Sequence, residues 1–165
     1  MCFPRFDGPS VFAWLLDDHA GQWSIAAVGP LEVSHRYLDR TLAPETTFHT
    51  PTGVAVLVDA MALGRHERGL ELGVHSPGMV LRSVSCVSGT VEMELVYAPR
   101  FEYGLIAPQL RPVRRGIITR GGAAVLVLSS PIAFSLENAV TRARFTLTAG
   151  NLPFCVSVWP SFFSR

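Results

Sequence analysis

From Thr90 to Tyr97 the chain alternates: Val91, Met93, Leu95 and Tyr97 fall on one face, while Glu92 and Glu94 fall on the other. Successive side chains of a β-strand point to opposite faces. A period of two with this polarity therefore describes a strand with one face in a core and the other in water. Residues 79–87 precede it, separated by Ser88-Gly89, and the two runs read as a hairpin. Short runs rich in aromatic and β-branched residues recur at 23–28, 33–38, 45–50, 54–61, 113–119, 123–129, 139–148 and 154–159. Gly, Pro and Ser divide them. Pro51-Thr52-Gly53 reads as a tight turn that makes 45–61 a hairpin, and Gly121-Gly122 reads as another. Pro108 and Pro112 break the chain into a loop. About ten short strands at nearly even spacing predict an all-β, antiparallel sandwich.

One segment reads as helical. Ser10 is placed to cap residues 11–16, with Asp17-Asp18 and Gly21 closing a helix of a turn or two near the N-terminus. The acidic pair at its C-terminal end opposes the helix dipole, which keeps the expected helix short.

A length of 165 residues suits one domain, residues 1–165, and no composition shift divides it. The apolar share of 48% against a charged share of 16% is that of a packed globular chain. A net charge of +1, with scattered basic residues, provides no electrostatic footprint for nucleic acid. The longest apolar run, 123–128, is far too short to span a bilayer, and no signal peptide is visible, so no membrane partner is expected. Cys2, Cys86 and Cys155 are odd in number and widely spaced. They read as reduced thiols of a cytoplasmic protein, two of them buried in strands.

Sites of chemistry are sparse. His66-Glu67 opens like a zinc-protease helix motif, but Leu70 stands where the second His belongs. His19, His35, His49 and His75 have no ligand spacing, so neither a metal nor another cofactor is expected. No Gly-rich phosphate loop or nucleophile elbow is present. Among the carboxylates, Asp7, Asp59 and Glu102 lie beside apolar residues and are the ones expected to be structurally held, through an ion pair or a turn-fixing hydrogen bond. Trp14, Trp23, Tyr37, Tyr97, Tyr103 and Trp159 could stack on sugar rings if exposed, though most aromatics of a β-domain are core. Tyr103, in a turn, stands out.

Two stretches share an Arg, an aromatic and a carboxylate beside turn formers: Pro4-Arg5-Phe6-Asp7-Gly8-Pro9-Ser10-Val11-Phe12 and Ala98-Pro99-Arg100-Phe101-Glu102-Tyr103-Gly104. The first resembles the Leu-Pro-Arg-Phe-Asp-Ser-Pro-Ser-Val-Phe segment that opens the N-terminal β-domain of bacterial trehalases and glucoamylase-like enzymes of glycoside hydrolase family 15. The second resembles that domain's Ala-Pro-Arg-Phe-Asp-Tyr turn. In between, Arg36-Tyr37-Leu38, Glu45-Thr46-Thr47-Phe48, Val58-Asp59-Ala60-Met61 and Ser88-Gly89-Thr90-Val91-Glu92 match in order, and Phe145-Thr146-Leu147-Thr148-Ala149-Gly150 resembles its last hairpin.

The resemblance implies a supersandwich-like fold and an accessory role in hydrolysis of trehalose or malto-oligosaccharides. The family's first strand, with Gly-Ser-Ile-Asp-Trp, has no counterpart here, which leaves an expected unpaired sheet edge. Its catalytic (α/α)6 barrel has none either. The implied partner is therefore that barrel, absent here or supplied by a separate chain, with α-glucosides as possible ligands and no catalytic residue carried over. Arg5, Phe6 and Asp7, with Arg100 and Tyr103, are expected to mark a docking surface or an active-site rim. The rival readings are a stand-alone carbohydrate- or partner-binding module and a truncated fragment without function of its own.

Overall fold

A computed structural model describes Cys2 and residues 7–160. The chain is nearly all strand, and every strand pairing is antiparallel. The strands are β1 (Gln22–Ala27), β2 (Glu32–Tyr37), β3 (Pro44–Thr50), β4 (Gly53–Met61), β5 (Val80–Ala98), β6 (Gln109–Val113), β7 (Gly116–Gly121), β8 (Ala124–Ser129), β9 (Ser135–Glu137), β10 (Val140–Thr148) and β11 (Phe154–Pro160). One layer runs in the order β2-β3-β4-β5-β11-β8-β7-β6. The other is built from β1, β5, β10 and β9.

The long strand β5 belongs to both layers. Its first half pairs with β4 and β11, and its second half pairs with β1 and β10. The expected hairpin over 79–97 is therefore one strand that changes layer at Ser88-Gly89. The corner is built for glycine. Gly89 has φ 66°, and a Cβ there would sit 2.1 Å from the Thr52 carbonyl oxygen. The same corner is held by Thr90 N–H donating to Thr52 O (3.0 Å) and Ala149 N–H donating to Gly89 O (3.0 Å). Strands that turn a sandwich corner do so at such bends.

The alternation seen in the sequence points the way into the core. Across the second layer, Trp23 faces Tyr97, Ile25 faces Leu95 and Ala27 faces Met93, and Leu147 faces Val91 on the other side. All are buried. From the first layer Phe48, Leu57, Val84, Ile117, Leu128, Val156 and Val158 join the same cluster. Each such side chain taken from water contributes roughly 1.5–3 kcal/mol. A buried polar contact ties the layers: Tyr97 Oη and Thr119 Oγ1 lie 3.2 Å apart, both fully buried.

Three local expectations need correction. Residues 11–16 form no helix; Trp14, Leu15 and Leu16 make a turn closed by Leu16 N–H to Ala13 O (2.8 Å). Val11 and Phe12 are instead drawn into the sandwich core, which a short, poorly capped helix could not match. The segment expected as a loop around Pro108 and Pro112 contains β6, where Pro112 is tolerated because β6 is an edge strand. Cys86 and Cys155 lie in strands but neither is buried, and all three cysteines are free. The hairpin read at Pro51-Thr52-Gly53 forms, and the one read at Gly121-Gly122 forms with its turn one residue on, at Gly122-Ala123.

Candidate functional site

The two Arg-Phe-acid stretches meet at one place. Val11 O accepts the Arg100 N–H at 3.0 Å, and Ser10 O accepts the Tyr103 N–H at 3.3 Å. Gly21, at φ 92°, completes the junction: a Cβ there would lie 2.2 Å from Val11 O and 3.0 Å from Arg100 N. The loop between closes on itself through Ala13 N–H to Ala20 O and Trp14 N–H to Gly21 O, each 2.9 Å. Three remote pieces of sequence thus share one backbone knot at the end of β1 and β5.

Side chains divide at this knot. Phe101 is buried against Gly121, whose missing Cβ leaves room for the ring. Glu102 and Tyr103 both have positive φ, and Tyr103 is 66% exposed. Leu105, Leu15 and Leu16 are also exposed. Arg100 is half-buried, and its Nη1 donates to Pro99 O (3.0 Å) and Ala139 O (3.3 Å), so it pins the turn before β10. Asp7 is exposed just ahead of the knot. Arg5 and Phe6 lie outside the described residues. Asp7 and Glu102 are both exposed.

Asp59 is held, as expected, by an ion pair. β4 and β5 place it opposite Arg82, and the two form a fork: Nε donates to Oδ1 at 3.0 Å and Nη2 donates to Oδ2 at 3.2 Å. Arg82 Nη1 also donates to Trp23 O at 2.7 Å, and the guanidinium lies 4.7 Å from the Trp23 ring centre. A cation over an indole face in a partly dry setting is stabilising by about 1–2 kcal/mol. Arg82 escaped the sequence reading because its partner is 23 residues away and only strand register brings them together.

His66-Glu67 builds a loop rather than a metal centre. The Glu67 carboxylate accepts the backbone N–H groups of Gly64 (3.0 Å), Gly73 (2.6 Å) and His75 (2.5 Å). These bonds, the one from His75 foremost, hold its pKa below the ordinary value; partial desolvation works against them. Among the described residues no group of three or more His, Cys, Asp or Glu could hold a metal ion. No helix there is long and apolar enough to cross a membrane.

Of the candidate sugar-stacking aromatics, Tyr97 and Trp23 are core, and Trp159 is partly covered. Trp14, Tyr37 and Tyr103 are exposed.

A family model described as trehalase-like, N-terminal matches residues 1–151. Similar proteins include a trehalase of Mycolicibacterium smegmatis, 31% identical over 96% of this chain and 26% of its own length. A trehalase of Mycobacterium tuberculosis is 29% identical over the same shares. Trehalase 1 of Sulfolobus acidocaldarius is 36% identical over 71% of this chain and 18% of its own. The chain thus spans about a quarter or less of the curated relatives it matches. No solved structure matches.

Proposed function

The chain belongs to the trehalase-like N-terminal family, and from that premise we propose that it is the accessory β-domain of a family 15 glycoside hydrolase acting on trehalose or another α-linked glucoside. The observation that carries this reading is the ratio of lengths: the match covers 96% of this chain but only 26% of the two mycobacterial relatives, so a larger part of those enzymes has no counterpart here. In this reading that larger part is a helical barrel that supplies the two carboxyl groups. One protonates the leaving oxygen and the other activates water, the inverting arrangement. The β-domain contributes no catalytic residue of its own.

The docking face in this proposal is the backbone knot, with Asp7, Arg100 and Tyr103 and, from the sequence expectation, Arg5 and Phe6. Its support is the exposure of apolar side chains in the loops that the knot joins: Leu15, Leu16, Tyr103 and Leu105. Large apolar side chains on adjoining loop tips are what an inter-domain contact covers. The test is association between this chain and the separately produced catalytic portion of a trehalase-type enzyme. The double variant Tyr103→Ser, Leu105→Ser is expected to weaken it about 30-fold, as for removal of an interface hot spot. Association that is unchanged by the double variant overturns this face as the docking site.

A further inference from the structure

Beside the knot lies a hollow of about 400 Å³, walled among others by Trp14, Trp23, Ser24, Asp59, Val80 and Arg82. That size lies at the low end of the ~300–1,000 Å³ typical of small-molecule sites. Its walls combine two kinds of surface. Trp14 is an aromatic 52% exposed at the loop turn, on a chain that buries Trp23 and Tyr97. The Asp59–Arg82 fork presents a flat donor-and-acceptor array held in place by the Trp23 carbonyl.

The fork is not used up by its internal bonds. Each carboxylate oxygen accepts one bond from Arg82 and keeps a further lone pair, and Arg82 keeps N–H groups beyond the three it donates. Trp23, also in the wall, has a buried indole N–H with no partner among the described residues. The pair is neutral in sum, so the hollow favours no ion. Its complement is a neutral molecule with an apolar face and adjacent hydroxyls that both donate and accept.

A pyranose ring has that form. We propose that this hollow is a non-catalytic binding site for one glucosyl unit, with its C–H face on Trp14 and two neighbouring hydroxyls on the Asp59–Arg82 fork. The choice of glucose among sugars rests on the reading of the chain as part of an α-glucosidase system. The hollow shares Gly21 with the knot, which places the sugar beside the docking face rather than remote from it.

The experiment is a titration of the ¹⁵N-labelled chain with trehalose, maltose and, as a control without a ring, sorbitol. Both disaccharides are expected to give saturable shifts at the amides of Gln22–Ser24, Asp59 and Arg82 and at the Trp14 indole, and sorbitol none. Trp14→Ala is expected to weaken binding about tenfold, the upper end for loss of one aromatic contact. Because Trp14 is half exposed, that variant keeps the fold, which an unchanged β-sheet spectrum checks. Asp59→Asn, which preserves shape, is expected to weaken it further. No saturable shift with 100 mM of either sugar, as a rough upper limit for weak small-ligand binding, overturns the proposal. So do shifts that avoid the hollow, or affinity unchanged in Trp14→Ala. Should the catalytic portion still associate with the chain while sugar binding is absent, this site alone is refuted. Should sugar bind without any such association, the accessory-domain reading is the one that falls.

Discussion

Tyr97 carries a buried polar link between the layers of the sandwich. Burial pushes its phenol pKa far above the ordinary value, so the hydroxyl stays protonated and can bond with Thr119 at any working pH. Removing it leaves Thr119 Oγ1 buried without a partner, a loss of about 1–3 kcal/mol. Tyr97→Phe is therefore expected to lower the thermal midpoint by several degrees in a domain of this size. Tyr97→Phe combined with Thr119→Val is expected to recover part of that loss, because both polar groups then leave together. Thermal unfolding followed by circular dichroism checks this, and a neutral Tyr97→Phe would contradict the link. The core position of Tyr97 was legible from its place in the Val91–Tyr97 alternation. Its partner was not, since Thr119 is distant in sequence and only the facing of two layers joins them. Asp59 was legible as a constrained carboxylate, but the geometry that makes it part of a site depends on Arg82 across β4 and β5.

At the scale of elements, strand existence followed from periodicity, and the misreadings fell where a local signal had two meanings. Ser88-Gly89 looks like a hairpin turn and is a corner in one strand. A glycine at positive φ serves both, and only the pairings of β4, β10 and β11 distinguish them. Residues 11–16 have a cap and a stop signal, yet Val11 and Phe12 gain more from the core than a turn of helix offers. The loop between β4 and β5 had no readable pattern because side chains remote along it, Glu67 and Ser76, bond its backbone. Glu67 gathers the amides of Gly64, Gly73 and His75 while Leu70, Leu72 and Val74 remain exposed. Its folded-state pKa lies below the ordinary value of 4.5, so its contribution is complete above that value and is lost as pH falls through the lower folded-state pKa. Below about 4.5 the Gly64 and Gly73 amide resonances are expected to move as the Glu67 carboxylate takes up its proton. In Glu67→Gln that acid-side movement is expected to vanish. Resonances that move in both proteins alike would show that some other group titrates.

The whole molecule is a sandwich with one broad and one narrow layer, tied by β5 and closed at one end by a knot of three chain segments. That the two Arg-Phe-acid stretches belong together was legible as repetition, and the structure joins them through the backbone bonds of Ser10 and Val11. The hollow beside them was not legible, because its walls come from the loop before β1 and from β1, β4 and β5. As proposed above, this molecule is the non-catalytic part of a glucoside hydrolase, with the reacting carboxylates elsewhere. The measurement that tests this most directly is trehalose hydrolysis by the purified chain, alone and after joining it to the catalytic portion of a trehalase relative. No turnover is expected from the chain alone, and turnover is expected from the joined protein. Turnover by the chain alone, abolished by changing Asp7, Asp59 or Glu102, would contradict that proposal.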